Sequence, residues 1–142
     1  MPVGDATTSN PMKPAQPRLL LVDDDANAAF FVRRALRKSG VACAFHHATS
    51  PVAALDYLRS VATPPTHILL DIRMPFMTGW DLLDYLEEHD YLLPSDTEIV
   101  MCSSSGHPDD IARACDYARV SDYFQKPFLA SQVEPWLGAA AA

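Results

Sequence analysis

Five short apolar runs, each followed by a stretch of helical periodicity, constrain this chain more than any other feature. Arg18 to Val22, Val41 to His46, His67 to Leu70, Glu98 to Cys102 and Val120 to Phe124 read as strands. After the first, Ala28, Phe31, Val32, Ala35 and Leu36 recur at the spacing of one helix face, and Gly40 stops that helix. Ser50 and Pro51 suit the cap and first position of a second helix, whose stripe is Ala54, Leu55, Leu58, Val61 and Ala62 and which Pro64-Pro65 end. A third helix starts near Gly79, with Leu82, Leu83 and Leu86 inward. Pro108, Asp109 and Asp110 open a fourth, because proline fits a first turn and acids favour its positive end; Ile111, Ala114, Cys115 and Ala118 supply its buried face. A last helix spans about Ala130 to Leu137, and Pro135 inside it predicts a short or kinked segment. Strands that are apolar throughout belong in a parallel sheet covered on both faces. Right-handed crossovers then wind an α/β sheet in two directions.

The 142 residues fit one domain, residues 18–137. The leader, residues 1–17, is rich in proline and small polar residues and predicts a flexible segment, and residues 138–142 predict a frayed tail. A net charge of -7 without a basic cluster argues against a nucleic-acid surface. No apolar run is long enough for a membrane span, and the N-terminus lacks an export pattern. Cys43, Cys102 and Cys115 are odd in number and widely spaced, which suits reduced thiols in a cytoplasmic protein.

In open parallel sheets, ligands sit beyond the carboxyl ends of the strands. That rule brings Asp23-Asp24, Asp71, Ser103 and Lys126 together, since each lies at or just past the end of a predicted strand. At a separation of about 5 Å and an effective dielectric of about 20, each pair of like charges costs roughly 3 kcal/mol. One lysine cannot neutralise three carboxylates, but a divalent cation can. Oxygen ligands without a His or Cys cluster favour Mg²⁺ (or Mn²⁺) over zinc. Such a site is prepared for a phosphoryl group, with a carboxylate as nucleophile, Lys126 pairing with phosphoryl oxygens and the Ser103 hydroxyl donating to one. Asp25 suits a helix cap, and His46-His47 has no partners spaced to complete a metal site.

The segments Leu21-Val22-Asp23-Asp24-Asp25, Leu70-Asp71-Ile72-Arg73-Met74-Pro75, Ile99-Val100-Met101-Cys102-Ser103-Ser104 and Tyr123-Phe124-Gln125-Lys126-Pro127-Phe128 resemble, in order and spacing, the marker segments of response-regulator receiver domains. The resemblance covers about residues 18–137 and implies a flavodoxin-like (βα)5 fold with strand order 2-1-3-4-5. It implies that Asp71 is the phosphoacceptor, and that Asp23, Asp24, Asp71 and the backbone carbonyl of Arg73 hold Mg²⁺ (or Mn²⁺). It further implies that Lys126 binds the phosphoryl group, that Ser103 and Tyr123 switch on activation, and that the Lys126-Pro127 bond is cis.

The predicted function is phosphoryl acceptance from a sensor histidine kinase or phosphotransfer protein, in a two-component system or phosphorelay, by a protein that is not an enzyme in its own right. Arg73, two residues after Asp71, is expected to tune the lifetime of the phosphoryl group. The sequence stops soon after the last helix, which predicts a stand-alone receiver acting on an unknown downstream protein as a monomer or weak homodimer. Pro135 disturbs the face through which such domains usually pair. Three rivals remain. A receiver-fold binding module without phosphorylation would keep the fold alone. A haloacid-dehalogenase-type phosphatase needs a second acid where Arg73 stands. A flavodoxin-like flavin binder needs a glycine- and hydroxyl-rich loop where three aspartates stand.

Overall fold

The computed structural model describes residues 16–138, so most of the predicted leader and residues 139–142 of the predicted tail lie outside the described residues. Five strands, β1 (Arg18–Val22), β2 (Ala44–Ala48), β3 (His67–Asp71), β4 (Glu98–Ser103) and β5 (Val120–Gln125), form one parallel sheet. Its order is β2-β1-β3-β4-β5, the expected 2-1-3-4-5. The helices are α1 (Ala26–Ser39), α2 (Pro51–Ser60), α3 (Gly79–Glu88), α4 (Pro108–Ala114) and α5 (Ala130–Val133).

The sheet is covered on both faces, as its apolar strands require. Leu19, Leu21, Leu69, Val100 and Phe124 pack against Val32 and Leu36 of α1 and Val133, Trp136 and Leu137 at the C-terminal end. The alternate strand residues, Leu20, Val22, Ile68, Leu70, Ile99 and Met101, meet Leu55 and Leu58 of α2, Leu82, Leu83 and Leu86 of α3, and Ala114 of α4.

Local signals set most helix ends. Asp25 caps α1 by accepting from Asn27 N at 2.9 Å. Gly40 ends that helix with φ 74°, in the left-handed region a side chain resists. Ser50 Oγ accepts from Ala53 N at 3.0 Å with Pro51 in the first turn of α2. Thr78 and Asp81 cap α3 reciprocally, at 3.2 and 3.0 Å.

Four expectations need correction. β2 begins at Ala44 rather than Val41, because its start is fixed by pairing with β1, Arg18 opposite Ala44. α1 packs on the sheet through Ala29, Val32, Ala35 and Leu36, so Ala29 is buried and Phe31 is not; Phe30 and Phe31 are exposed and pack edge-on with centroids 5.6 Å apart. α2 ends at Ser60, ahead of Val61 and Ala62, so its buried stripe is Pro51, Ala54, Leu55 and Leu58. In α4 only Ala114 is buried, while Ile111 and Cys115 face outward. That helix stops at Ala114, and Tyr117 beyond it stacks on Trp80, whose ring also lies under the Arg113 guanidinium.

Pro135 acts as expected. α5 ends at Val133, and the chain widens into a π-helical turn over Glu134–Gly138. Proline has no N–H for the regular ladder. Trp136 and Leu137 remain buried despite the break.

Gly79 ties α3 to the end of β3. Its N–H donates to Ile72 O at 2.9 Å, and a Cβ at this position would drive into the backbone carbonyl oxygen of Asp71. Gly79→Ala is expected to lower stability by about 1–3 kcal/mol, since backbone must shift to make room. Urea unfolding checks this, and an unchanged midpoint would contradict the close approach.

Candidate functional site

The carboxyl ends of β1, β3, β4 and β5 gather the predicted residues into one pocket. Asp23 follows β1 and is buried; its Oδ1 accepts from Asp25 N at 2.9 Å. The Asp23 carbonyl accepts from His47 Nε2 at 2.8 Å, so His47 is a brace, while His46 stacks on Tyr57 at 3.9 Å. Asp24 is exposed, and Asp71, the last residue of β3, is buried. One carboxylate oxygen from each of Asp23, Asp24 and Asp71 lies within 4.8 Å of the others. Lys126 Nζ sits across the pair of buried acids, 2.7 Å from Asp23 Oδ2 and 3.2 Å from Asp71 Oδ1. It leaves β5 through a cis Lys126-Pro127 bond, as the resemblance implied, and its backbone N–H donates to Ser103 O at 2.8 Å.

The electrostatics follow from burial and crowding. Burial, then the negative charge of Asp23, pushes the Asp71 carboxyl up to about 6, against the opposing pull of Lys126 and the Arg73 backbone. Burial works against the charge on Lys126, but its hydrogen bond to Asp23 and the charges of Asp71 and Asp23 outweigh that and hold the ammonium above its ordinary value. Below the pocket, burial pushes the Cys102 thiol up to about 12, so this sulfur stays protonated and inert. Cys43, Cys102 and Cys115 are not paired with one another.

The donor set suits a hard divalent cation. All three ligands are carboxylate oxygens, and three negative charges against one ammonium leave an excess of two. Burial first, and the Asp23 charge second, keep the proton affinity of Asp71 raised despite the opposing pull of Lys126.

The remaining predicted residues lie around this centre. Ser103 is buried at the end of β4, and its Oγ accepts from Ser105 N at 3.2 Å. Tyr123 is half-buried on β5 and donates its hydroxyl to Ser105 O at 2.6 Å. Both therefore hold the connection between β4 and α4. Arg73 lies on the loop after β3, with its guanidinium 3.3 Å from Asp110 Oδ2 on α4. That partner was not visible in the sequence, because nothing local links positions 37 apart.

Two further features escaped sequence reasoning. Phe76, in the loop after Asp71, is fully exposed with φ 69°, a conformation that side chains resist. A cavity of 340 Å³ opens beside the acids, lined by Asp23, Phe31, Val32, Lys126 and Phe128 among others.

Known proteins share this fold. The family described as the response regulator receiver domain matches residues 19–135. The chain is 30% identical over 119 residues to the transcriptional regulatory protein PrrA of Mycobacterium leprae, an alignment covering 84% of this chain and 47% of that protein. It thus spans about half the length of that relative. The crystal structure of a two component response regulator from Cytophaga hutchinsonii superposes with a TM-score of 0.79 at 28% identity, covering 87% of this chain and 96% of that one. The Mn(2+)-bound form of response regulator Rcp1 has the same fold, with a TM-score of 0.71 at 21% identity over 85% of this chain and 94% of its own.

Proposed function

The chain belongs to the response regulator receiver domain family, and from that membership we propose that Asp71 accepts a phosphoryl group from a histidine kinase or phosphotransfer protein. Receiver domains are signalling modules of two-component systems rather than enzymes in their own right. The observation that carries the proposal is Lys126 Nζ bridging Asp23 and Asp71 while Asp24 completes the acidic cluster.

In the proposed reaction an Asp71 oxygen attacks the phosphorus of a phosphohistidine. The new O–P bond forms as the P–N bond breaks, and the electron pair returns to the imidazole nitrogen, which then takes up a proton. A carboxyl with a pKa of about 6 is mostly ionised at neutral pH, so Asp71 keeps a lone pair for attack. Mg²⁺ (or Mn²⁺), held by Asp23, Asp24, Asp71 and the Arg73 backbone carbonyl, would supply positive charge beside the phosphoryl oxygens. Lys126 exchanges its contact with Asp71 for a phosphoryl oxygen while keeping Asp23. Ser103 Oγ turns from Ser105 N toward the new anion, which draws the β4–α4 connection inward and frees Tyr123 from Ser105 O. New charge-assisted contacts thus shift a two-state equilibrium. Water attack on phosphorus later restores Asp71.

Residues 18–137 act as a receiver unit that signals in the cytoplasm through protein contacts, as a monomer or weak homodimer. Among the described residues, no helix is long and apolar enough to cross a membrane. The phosphatase reading is disfavoured because the position of its second acid holds Arg73, engaged with Asp110.

Incubation with Mg²⁺ and acetyl phosphate, followed by intact-mass measurement, tests the proposal. One phosphoryl adduct is expected on wild type, lost on Asp71→Asn and lost when the metal is chelated. No adduct on wild type, or an equal adduct on the variant, would favour the non-phosphorylated binding module.

A further inference from the structure

We propose that Arg73 is a positioning residue with two mutually exclusive partners, Asp110 in the unmodified protein and the phosphoryl group once Asp71 carries it. The exchange would release the first turn of α4. It rests on Asp71 being the phosphoacceptor.

Four observations support this. The Arg73 guanidinium lies 3.3 Å from Asp110 Oδ2, the Arg73 side chain being 69% exposed and that of Asp110 16% exposed. The root of the same side chain lies two residues after the acceptor, on the loop that follows β3, and the Arg73 backbone helps to lower the Asp71 carboxyl. The long arginine side chain is therefore tethered next to Asp71 while its charge rests on another element. α4 is also poorly anchored. It has seven residues and buries only Ala114, so its first turn has little packing besides the Arg73 pair. Finally, the charges of both Asp110 and Arg73 are felt at the Tyr123 phenol, which burial pushes up, Ser103 pulls down, and Asp110 and Arg73 then shift in opposite senses. The ion pair and the Tyr123–Ser105 hydrogen bond thus occupy one corner of the molecule.

The relative strengths favour the exchange. An exposed ion pair is weak. A phosphoryl group carries nearly two negative charges and accepts paired hydrogen bonds from a guanidinium, so it competes well for Arg73. Asp110 then loses its partner and the start of α4 its tether, in the same event that draws Ser103 inward.

The test is a beryllofluoride titration with Mg²⁺, using wild type, Asp110→Asn, Arg73→Ala, Arg73→Lys and the Arg73→Ala/Asp110→Asn double variant. Asp110→Asn should bind about 2–5-fold more tightly, because no pair must first be broken. Arg73→Ala should bind more weakly, with Arg73→Lys in between. In the Arg73→Ala background, Asp110→Asn should change nothing. Amide exchange in the first turn of α4 should rise on beryllofluoride binding in wild type and be high beforehand in Asp110→Asn. Additive effects of the two substitutions would mean simple through-space charge and would overturn the exchange, as would slow α4 exchange in Asp110→Asn. Absence of Mg²⁺-dependent binding in wild type would instead overturn the phosphoacceptor reading beneath it.

Discussion

Asp71→Asn should stabilise the metal-free protein by about 1–2 kcal/mol at pH 7.5, although it removes the reacting group. Asp71 is a carboxyl raised from 3.8 to about 6 by burial and by the charge of Asp23. An acid whose pKa is higher in the folded state holds its proton more tightly when folded. Between pH 3.8 and about 6 the native state therefore binds more protons than the unfolded chain, and stability falls as pH rises through that window. The penalty is fully present above it and absent below. A gap of about two units corresponds to roughly 3 kcal/mol. Asparagine loses the contact with Lys126, which offsets part of the gain. Urea unfolding in chelator at pH 5 and pH 7.5 checks the sign: the variant's advantage should shrink at the lower pH and when Mg²⁺ is added. A variant less stable than wild type in chelator at pH 7.5 would contradict the cost of burying a charged Asp71 beside Asp23.

A loss is expected at Lys126. Its ammonium lies 2.7 Å from Asp23 and 3.2 Å from Asp71, with the side chain 28% exposed. Lys126→Met leaves two buried carboxylates facing each other with no countercharge. Breaking one side of a buried pair costs about 3–5 kcal/mol, and the partial exposure here brings the expectation to about 2–3 kcal/mol. Mg²⁺ should recover much of that loss, because it supplies the missing charge. Phosphorylation by acetyl phosphate should slow by at least about tenfold even with metal present, since the phosphoryl oxygens lose a charge-assisted partner. Unfolding with and without Mg²⁺, together with labelling rates, separates the two effects. Wild-type stability of the variant in chelator would contradict the bridging role of the lysine.

Much of this site was legible because it depends on strand ends. Apolar runs mark where β1, β3, β4 and β5 stop, and Asp23, Asp71, Ser103 and Lys126 follow at once. The topology of a doubly wound sheet does the rest. Helix ends with chemical punctuation, such as Asp25, Ser50 and Gly40, were equally readable. What failed depends on the partner rather than the local pattern. The start of β2 is set by register with β1, and the inward face of α1 by its packing on the sheet, so Val41 and Phe31 misled. The outward Ile111 and Cys115 reflect how briefly α4 touches the sheet. Pro135 announced a break but not the π-helical turn that keeps Trp136 and Leu137 buried. Arg73 and Asp110 meet only in three dimensions, which is why a residue first read as acting on the phosphoryl group also has a partner on α4.

The most direct test of phosphoryl acceptance at Asp71 is chemical trapping. Acyl phosphates are reduced by borohydride to an alcohol, whereas serine phosphate esters are not. After treatment with Mg²⁺ and acetyl phosphate, borohydride reduction and peptide mapping should show homoserine at position 71, with Asp23 and Asp24 unchanged. Homoserine at Asp23 or Asp24, or phosphate retained on Ser103, Ser104 or Ser105, would contradict it.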